Sequence, residues 1–382
     1  MKFSDVIGQK GIKSQLIQTV KQNRISHAQL FLGPEGCGKL ALALAYAQYI
    51  NCRNRVDGDS CGSCASCVKY EKLAHPDLHL FYPVSATREI KDHPMSRDFV
   101  EQWRELLLEK HAYIGLHDWI DKIEIEKKQA IITKDDMEEL IRLLTYKNYE
   151  ADYKAVIIYL PEKIYYASAP KILKILEEPP DNTLFILVSE DQEEIIDTIL
   201  SRCQLVKIPR VGDDDLRDHL LAVRGLTGQE AQGIITLAGG SMVDAARLLS
   251  RESDTPGNLD AFRNWARLCY TLNIKGLDDF IGKTFGGGRE QNKAFLNYAL
   301  RMARECILLN YGRKDLVRLD KDEEEWVTGF FYPFVNAENG GLIVGELNKA
   351  IAHVERNANA SILFMDLSLR MHALLKKAPS QK

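Results

Sequence analysis

The chain has 382 residues, 45% of them apolar, and a formal net charge of −4. That length calls for two or three domains rather than one core, and the mild acidity argues against a protein that coats nucleic acid unaided. No run approaches the ~18 apolar residues needed to span a bilayer. The opening MKFSDVIGQKG also lacks the apolar stretch of a signal peptide, so the expectation is a cytoplasmic chain with no membrane partner.

Taken in chain order, short apolar runs at 29–32, 78–82, 155–159, 183–189 and 205–208 predict strands covered on both faces. Helical patterns alternate with them, as in a parallel α/β sheet. Residues 40–50 are Ala-rich with good helix propensity. A helix over 135–145 is announced by Thr133 as N-cap with Asp136 three residues on. Within 85–130 the chain is charged, and Phe99, Val100, Trp103, Leu106 and Leu107 share one helical face. This predicts an inserted helical hairpin whose aromatics pack as ordinary core. After Pro209 only helices are predicted: 214–223, 229–237 and 242–249, then a linker over 252–257, then helical periodicity from 259 to 375. The glycines at 286–288 follow no strand and read as a loop between helices.

Gly33-Pro34-Glu35-Gly36-Cys37-Gly38-Lys39-Leu40 follows a predicted strand and opens a predicted helix. That is the setting of a phosphate loop: backbone N–H groups and a helix N-terminus wrap a phosphate, and the lysine reaches the terminal phosphates. Gly33, Gly38 and Lys39 keep the pattern. The next position needs Ser or Thr to hold Mg²⁺, and the isobutyl group of Leu40 cannot ligate a hard cation. A metal-binding carboxylate is also due at the tip of the third strand. The chain there reads Tyr159-Leu160-Pro161-Glu162, and Glu162, late and beyond a proline, reads as a solvated loop charge. The loop's shape permits weak nucleotide binding without metal, but its catalysis is argued against.

Four of the eight cysteines fall in one window: Cys52-x8-Cys61-x2-Cys64-x2-Cys67, within a Gly/Ser/Asp-rich turn. Clustering in a long chain favours metal over a disulfide framework. Four thiolates in tetrahedral number suit a structural Zn²⁺ and leave no open position. A reduced cluster without metal and an iron–sulfur cluster are the rivals, though nothing else in the sequence points to electron transfer.

The ordered set His27-Ala28-Gln29-Leu30-Phe31, the loop GPEGCGK, the four cysteines, His75-Pro76-Asp77-Leu78, the LEEPP run ending at Pro180 and Ile199-Leu200-Ser201-Arg202-Cys203 resembles bacterial clamp-loader ATPase domains. The likeness spans 1–249 in motifs and continues weakly to 357–369, which resembles the last collar helix. It implies an α/β AAA+ P-loop domain over 1–208, with the zinc module at 52–67 and the insertion at 85–130. A small helical lid over 209–250 and an all-α collar over 258–378 would follow. It also implies partners: motor ATPase subunits and a clamp-opening subunit in a hetero-pentameric ring, acting with the sliding clamp and primer–template DNA.

Motor subunits of that family carry Ser/Thr where this chain has Leu40, Asp-Glu where it has Tyr159 and Leu160, and a lid arginine where Gly240-Ser241-Met242 is followed by Val243. The losses resemble the delta-prime type of subunit, with no ATPase activity of its own. The resemblance gives Arg202 a role in trans, contacting the γ-phosphate of ATP bound by the neighbouring subunit, a task that suits a permanently charged, forked guanidinium. Two alternatives stay open. One is an active motor ATPase that tolerates Leu40. The other is a zinc-bearing DNA-binding protein with a vestigial P-loop, which requires tight, salt-sensitive binding by the chain alone.

Overall fold

Five short apolar segments assemble into one parallel sheet in the computed structural model, which describes residues 1–125, 129–224, 226–249, 257–285, 288–319 and 321–376. The strands are β1 (Ala28–Leu32), β2 (Leu78–Phe81), β3 (Lys154–Tyr159), β4 (Thr183–Ser189) and β5 (Gln204–Lys207). Their order is β2-β3-β4-β1-β5, and each end lies within one residue of the sequence expectation. Every residue of β3 and β4 is buried, as strands covered on both faces must be. β5, at the edge, buries only Val206.

Helices α1 (Lys10–Lys21), α2 (Lys39–Ile50), α3 (Ala65–Glu71), α4 (Val100–Glu109), α5 (Leu116–Lys122), α6 (Lys134–Thr145), α7 (Ala169–Glu177) and α8 (Asp197–Leu200) alternate with the strands. α2 is apolar on all sides and buried along its whole length, so burial rather than an amphipathic stripe fixes it. α6 carries the expected cap: Thr133 Oγ1 accepts from the Asp136 N–H at 3.1 Å, while the Asp136 carboxylate accepts from the Thr133 N–H at 3.0 Å. Met137 and Leu140 of α6 and Ile172 and Leu176 of α7 pack on Val156, Ile158, Phe185 and Leu187 of the sheet. Each such side chain, fully buried, contributes about 1.5–3 kcal/mol of transfer free energy.

α4 and α5 form the predicted helical pair. Trp103 and Trp119 meet edge to face at 4.8 Å, Tyr82 stacks on Trp103 at 4.1 Å, and the Trp119 indole N–H donates to Pro83 O at 2.7 Å. Both tryptophans are buried; of the predicted stripe Phe99, Trp103, Leu106 and Leu107 are core, while Val100 is only half-buried. Residues 126–128 of this insertion, 252–256 of the expected linker and 286–287 of the glycine loop lie outside the described residues.

Three helices follow the sheet: α9 (Asp213–Arg224), α10 (Gly228–Ala238) and α11 (Met242–Leu249). The chain separates into two compact units, 1–246 and 247–382. The second contains α12 (Gly257–Thr271), α13 (Ile274–Thr284), α14 (Arg289–Asn310), α15 (Lys321–Trp326), α16 (Gly340–Glu355) and α17 (Ala360–Leu375), with no strand among its described residues. Its core is rich in aromatics: Phe285 stacks on Phe364 at 3.6 Å, and the buried Trp265 donates to Ser368 Oγ at 2.9 Å. The buried Glu323 carboxylate is satisfied by Tyr298 Oη at 2.8 Å and Arg301 Nη1 at 2.9 Å. The fold class is therefore the one expected, a parallel α/β domain with a small helical group and an all-α C-terminal unit.

Candidate functional site: a phosphate loop, an outlying arginine and a cysteine cluster

Because β1 lies between β4 and β5, the loop leaving β1 is bracketed by the ends of its neighbours. The Gly33 N–H donates to Ser189 O, the last residue of β4, at 3.2 Å. The loop then enters α2 through Gly36 (φ 76°) and Gly38 (φ 88°), both in the left-handed region where L side chains are strained. Gly33, Gly36, Gly38 and Lys39 are all buried. A Cβ on Gly36 would lie 2.3 Å from Ser241 Oγ, and the Met242 N–H donates to Gly36 O at 3.0 Å. Ser241 itself caps α11 by accepting from the Asp244 N–H. A Cβ on Gly38 would meet the Tyr113 ring at 3.0 Å, and Tyr113 Oη accepts from the Ile7 N–H at 2.8 Å. Protein groups therefore lie against both positive-φ glycines of the loop.

The Lys39 side chain is 4% exposed, and its Nζ donates to Glu190 Oε1 at 3.0 Å and to Pro34 O at 3.2 Å. Leu40 is buried beside it, and burial pushes the Cys37 thiol up from its ordinary range. At the end of β3, Tyr159 and Leu160 are both 2% exposed, with Leu160 at φ 56°. The strand tip thus presents apolar bulk. Glu162 departs from expectation: it is no solvated loop charge. One of its carboxyl oxygens is buried without a hydrogen-bond partner, and burial, with the Glu190 charge nearby, pushes its pKa up to about 7.

Arg202 lies on the turn after α8, and its contacts are with Glu177, Thr198 and Ser201, none of them in the phosphate loop. Its Nε donates to Glu177 Oε1 at 2.7 Å, a second guanidinium nitrogen reaches the same oxygen, and Nη1 donates to Thr198 O at 2.8 Å. The arginine side chain is 29% exposed and that of Glu177 48%, so in the single chain this is a surface ion pair.

The four clustered cysteines converge as their spacing foretold. All are free thiols, and their Sγ atoms lie within 4.8 Å of one another. Cys52 and Cys61 are 3.6 Å apart at sulfur, and Cys61 and Cys67 3.9 Å. Tetrahedral Zn²⁺ with bonds of about 2.3 Å sets its sulfurs about 3.8 Å apart. Backbone N–H groups point at the sulfurs: Cys61 N to Cys52 Sγ and Cys64 N to Cys61 Sγ, each at 3.3 Å. The Cys64 and Ser63 backbone donors bring the Cys61 thiol down to about 6, whereas burial raises Cys52 and Cys67. The donor set fits a four-coordinate metal. Nearby, the His75-Pro76-Asp77-Leu78 motif acquires a physical role. The buried Asp77 carboxylate accepts from the Tyr149, Glu150 and Ala151 N–H groups at 2.6–2.9 Å and fixes the chain entering β3.

Glu190 and Tyr113 escaped the sequence reading, which met Ser241 only as part of the lid motif. The usable signal for Glu190 was its place immediately after β4, the strand paired with β1.

Sheet order, a phosphate loop between β1 and α2, and helices α9–α11 after β5 define a P-loop protein of the AAA+ class. The family described as "DNA polymerase III, delta subunit" matches residues 8–212, more than half of the chain. The chain belongs to that family. It is 27% identical over 213 residues to DNA polymerase III subunit delta' of Bacillus subtilis, covering 56% of this chain and 51% of that protein. It is 28% identical over 219 residues to subunit tau/gamma of Haemophilus influenzae, covering 57% of this chain and 25% of that protein. The chain thus spans about half the length of the first of these relatives and a quarter of the second. A gamma subunit-related protein from Thermotoga maritima aligns over 95% of this chain and 99% of its own, at 13% identity and a TM-score of 0.38. No helix among the described residues is long and apolar enough to cross a membrane.

Proposed function

We propose that the chain is a delta-prime-type subunit of a bacterial clamp loader. It would work as a non-hydrolysing stator in a ring with motor ATPase subunits and a clamp-opening subunit, which loads the sliding clamp on primed DNA. The observation that carries this reading is the nucleotide edge of the sheet. Where Mg²⁺ needs a hydroxyl there is the buried Leu40, and where it needs a carboxylate there are the buried Tyr159 and Leu160. Arg202, on the turn after α8, would contact the γ-phosphate of ATP held by a neighbour. Cys52, Cys61, Cys64 and Cys67 would hold a structural Zn²⁺, whose contribution is a fixed cross-link and no chemistry.

The test is steady-state ATP turnover by the purified chain and by a loader reconstituted with motor and clamp-opening subunits. Negligible turnover alone, with clamp loading that requires the chain, is the expected result. The comparable identity to tau/gamma subunits favours a second reading, an active motor. Turnover by the isolated chain that Lys39→Ala abolishes would establish that reading instead.

A further inference from the structure

We infer that Glu190 decides what the phosphate loop accepts: its carboxylate holds Lys39 as a resident counter-ion and excludes nucleotide phosphates from the cradle. A nearly buried ammonium needs an anionic partner. In a working P-loop that partner is the ligand's phosphate, assisted by the acid at the tip of the third strand. Here that tip is Tyr159 and Leu160, and the structure supplies the anion from the next strand instead. Glu190 follows directly on β4, whose last residue, Ser189, already bonds the loop through the Gly33 N–H. Lys39 Nζ sits 3.0 Å from Glu190 Oε1 and turns a second donor back onto Pro34 O of its own loop. The same loop is packed closely by the start of α11 at Gly36 and by Tyr113 at Gly38. A phosphate entering this cradle must first displace the carboxylate, so apparent affinity falls by the fraction of chains in which Lys39 is released. The argument concerns binding, and stands apart from the hydrolysis question and from Arg202.

The experiment measures binding of inorganic pyrophosphate and of ADP, with and without Mg²⁺, to the full chain by calorimetry and by the shift in melting temperature. Wild type is expected to bind weakly. Glu190→Gln keeps the shape and removes the charge, and is expected to bind at least about tenfold more tightly, with no dependence on Mg²⁺ because Leu40 remains. Lys39→Met in the Glu190→Gln background is expected to abolish the gain. Glu190→Thr serves as a second variant should Gln lower the melting temperature. The inference is overturned if neither folded variant binds more tightly than wild type, if the gain survives Lys39→Met, or if wild type already binds as tightly as the variants. Tight wild-type binding without turnover would sink this inference and leave the stator reading standing.

Discussion

Arg202 and Glu177 give two substitutions that remove the same ion pair, and this separates a catalytic arginine from a surface one. Their side chains are 29% and 48% exposed, so the pair is worth about 0–1 kcal/mol. If that pair is all Arg202 does, Arg202→Ala and Glu177→Ala should have matching effects, each within about fivefold in any rate. A trans finger breaks the symmetry. Docking must then strip Arg202 from Glu177, so Glu177→Ala leaves the rate unchanged or raises it by up to about fivefold. Arg202→Ala removes a term of about 10³–10⁵ in rate, equivalent to roughly 4–7 kcal/mol. Arg202→Lys keeps the charge but not the fork, and is expected to recover only a small part of the loss. The assay is DNA-stimulated ATP hydrolysis by a reconstituted loader in which the other motor subunits carry substituted P-loop lysines, so that only the site abutting this chain turns over. Equal, small effects from Arg202→Ala and Glu177→Ala would refute the finger.

The cysteine cluster predicts one Zn²⁺ per chain by elemental analysis. Cys61→Ser should lower that stoichiometry and the melting temperature together, and chelation should do the same to wild type; full metal content in Cys61→Ser would argue against a four-thiolate site. Glu162, with its carboxyl raised to about 7 from an ordinary 4.5, ionises more readily in the unfolded chain than in the folded one. Its contribution is therefore favourable below about pH 4.5 and is lost as pH rises through about 7, by about 3 kcal/mol at most. Urea unfolding should find Glu162→Gln gaining on wild type between pH 5 and pH 8, and a constant difference across that range would contradict the buried carboxyl.

Most of the sheet was legible because buried parallel strands announce themselves as continuous apolar runs, as 155–159 and 183–189 do. The α6 cap, the apolar stripe around Trp103 and the cysteine cluster were legible because each signal is local, the longest spanning sixteen residues of chain. What failed was long-range. Lys39 and Glu190 are 151 positions apart, and their meeting follows from strand order, which periodicity does not encode. Tyr113 against Gly38 and Ser241 against Gly36 are of the same kind. Glu162 was misjudged because a charge beyond a proline reads as solvated unless one knows that β4 ends beside it.

The division has a physical consequence for how the site is to be understood. On the delta-prime reading, losing the metal-binding hydroxyl and the strand-tip acid is a local change, visible at Leu40 and at Tyr159–Leu160. Those losses alone would leave a buried lysine with no anion, a state that is strongly destabilising. The fold answers with a carboxylate from a neighbouring strand and with glycines packed by Ser241 and Tyr113. The loop's two positive-φ glycines are favoured by backbone conformation, and at Gly36 also by the close approach of Ser241 and the start of α11, whether or not a phosphate ever enters. A P-loop pattern in the sequence then reports a backbone shape, and only the partner of its lysine reports what that shape holds.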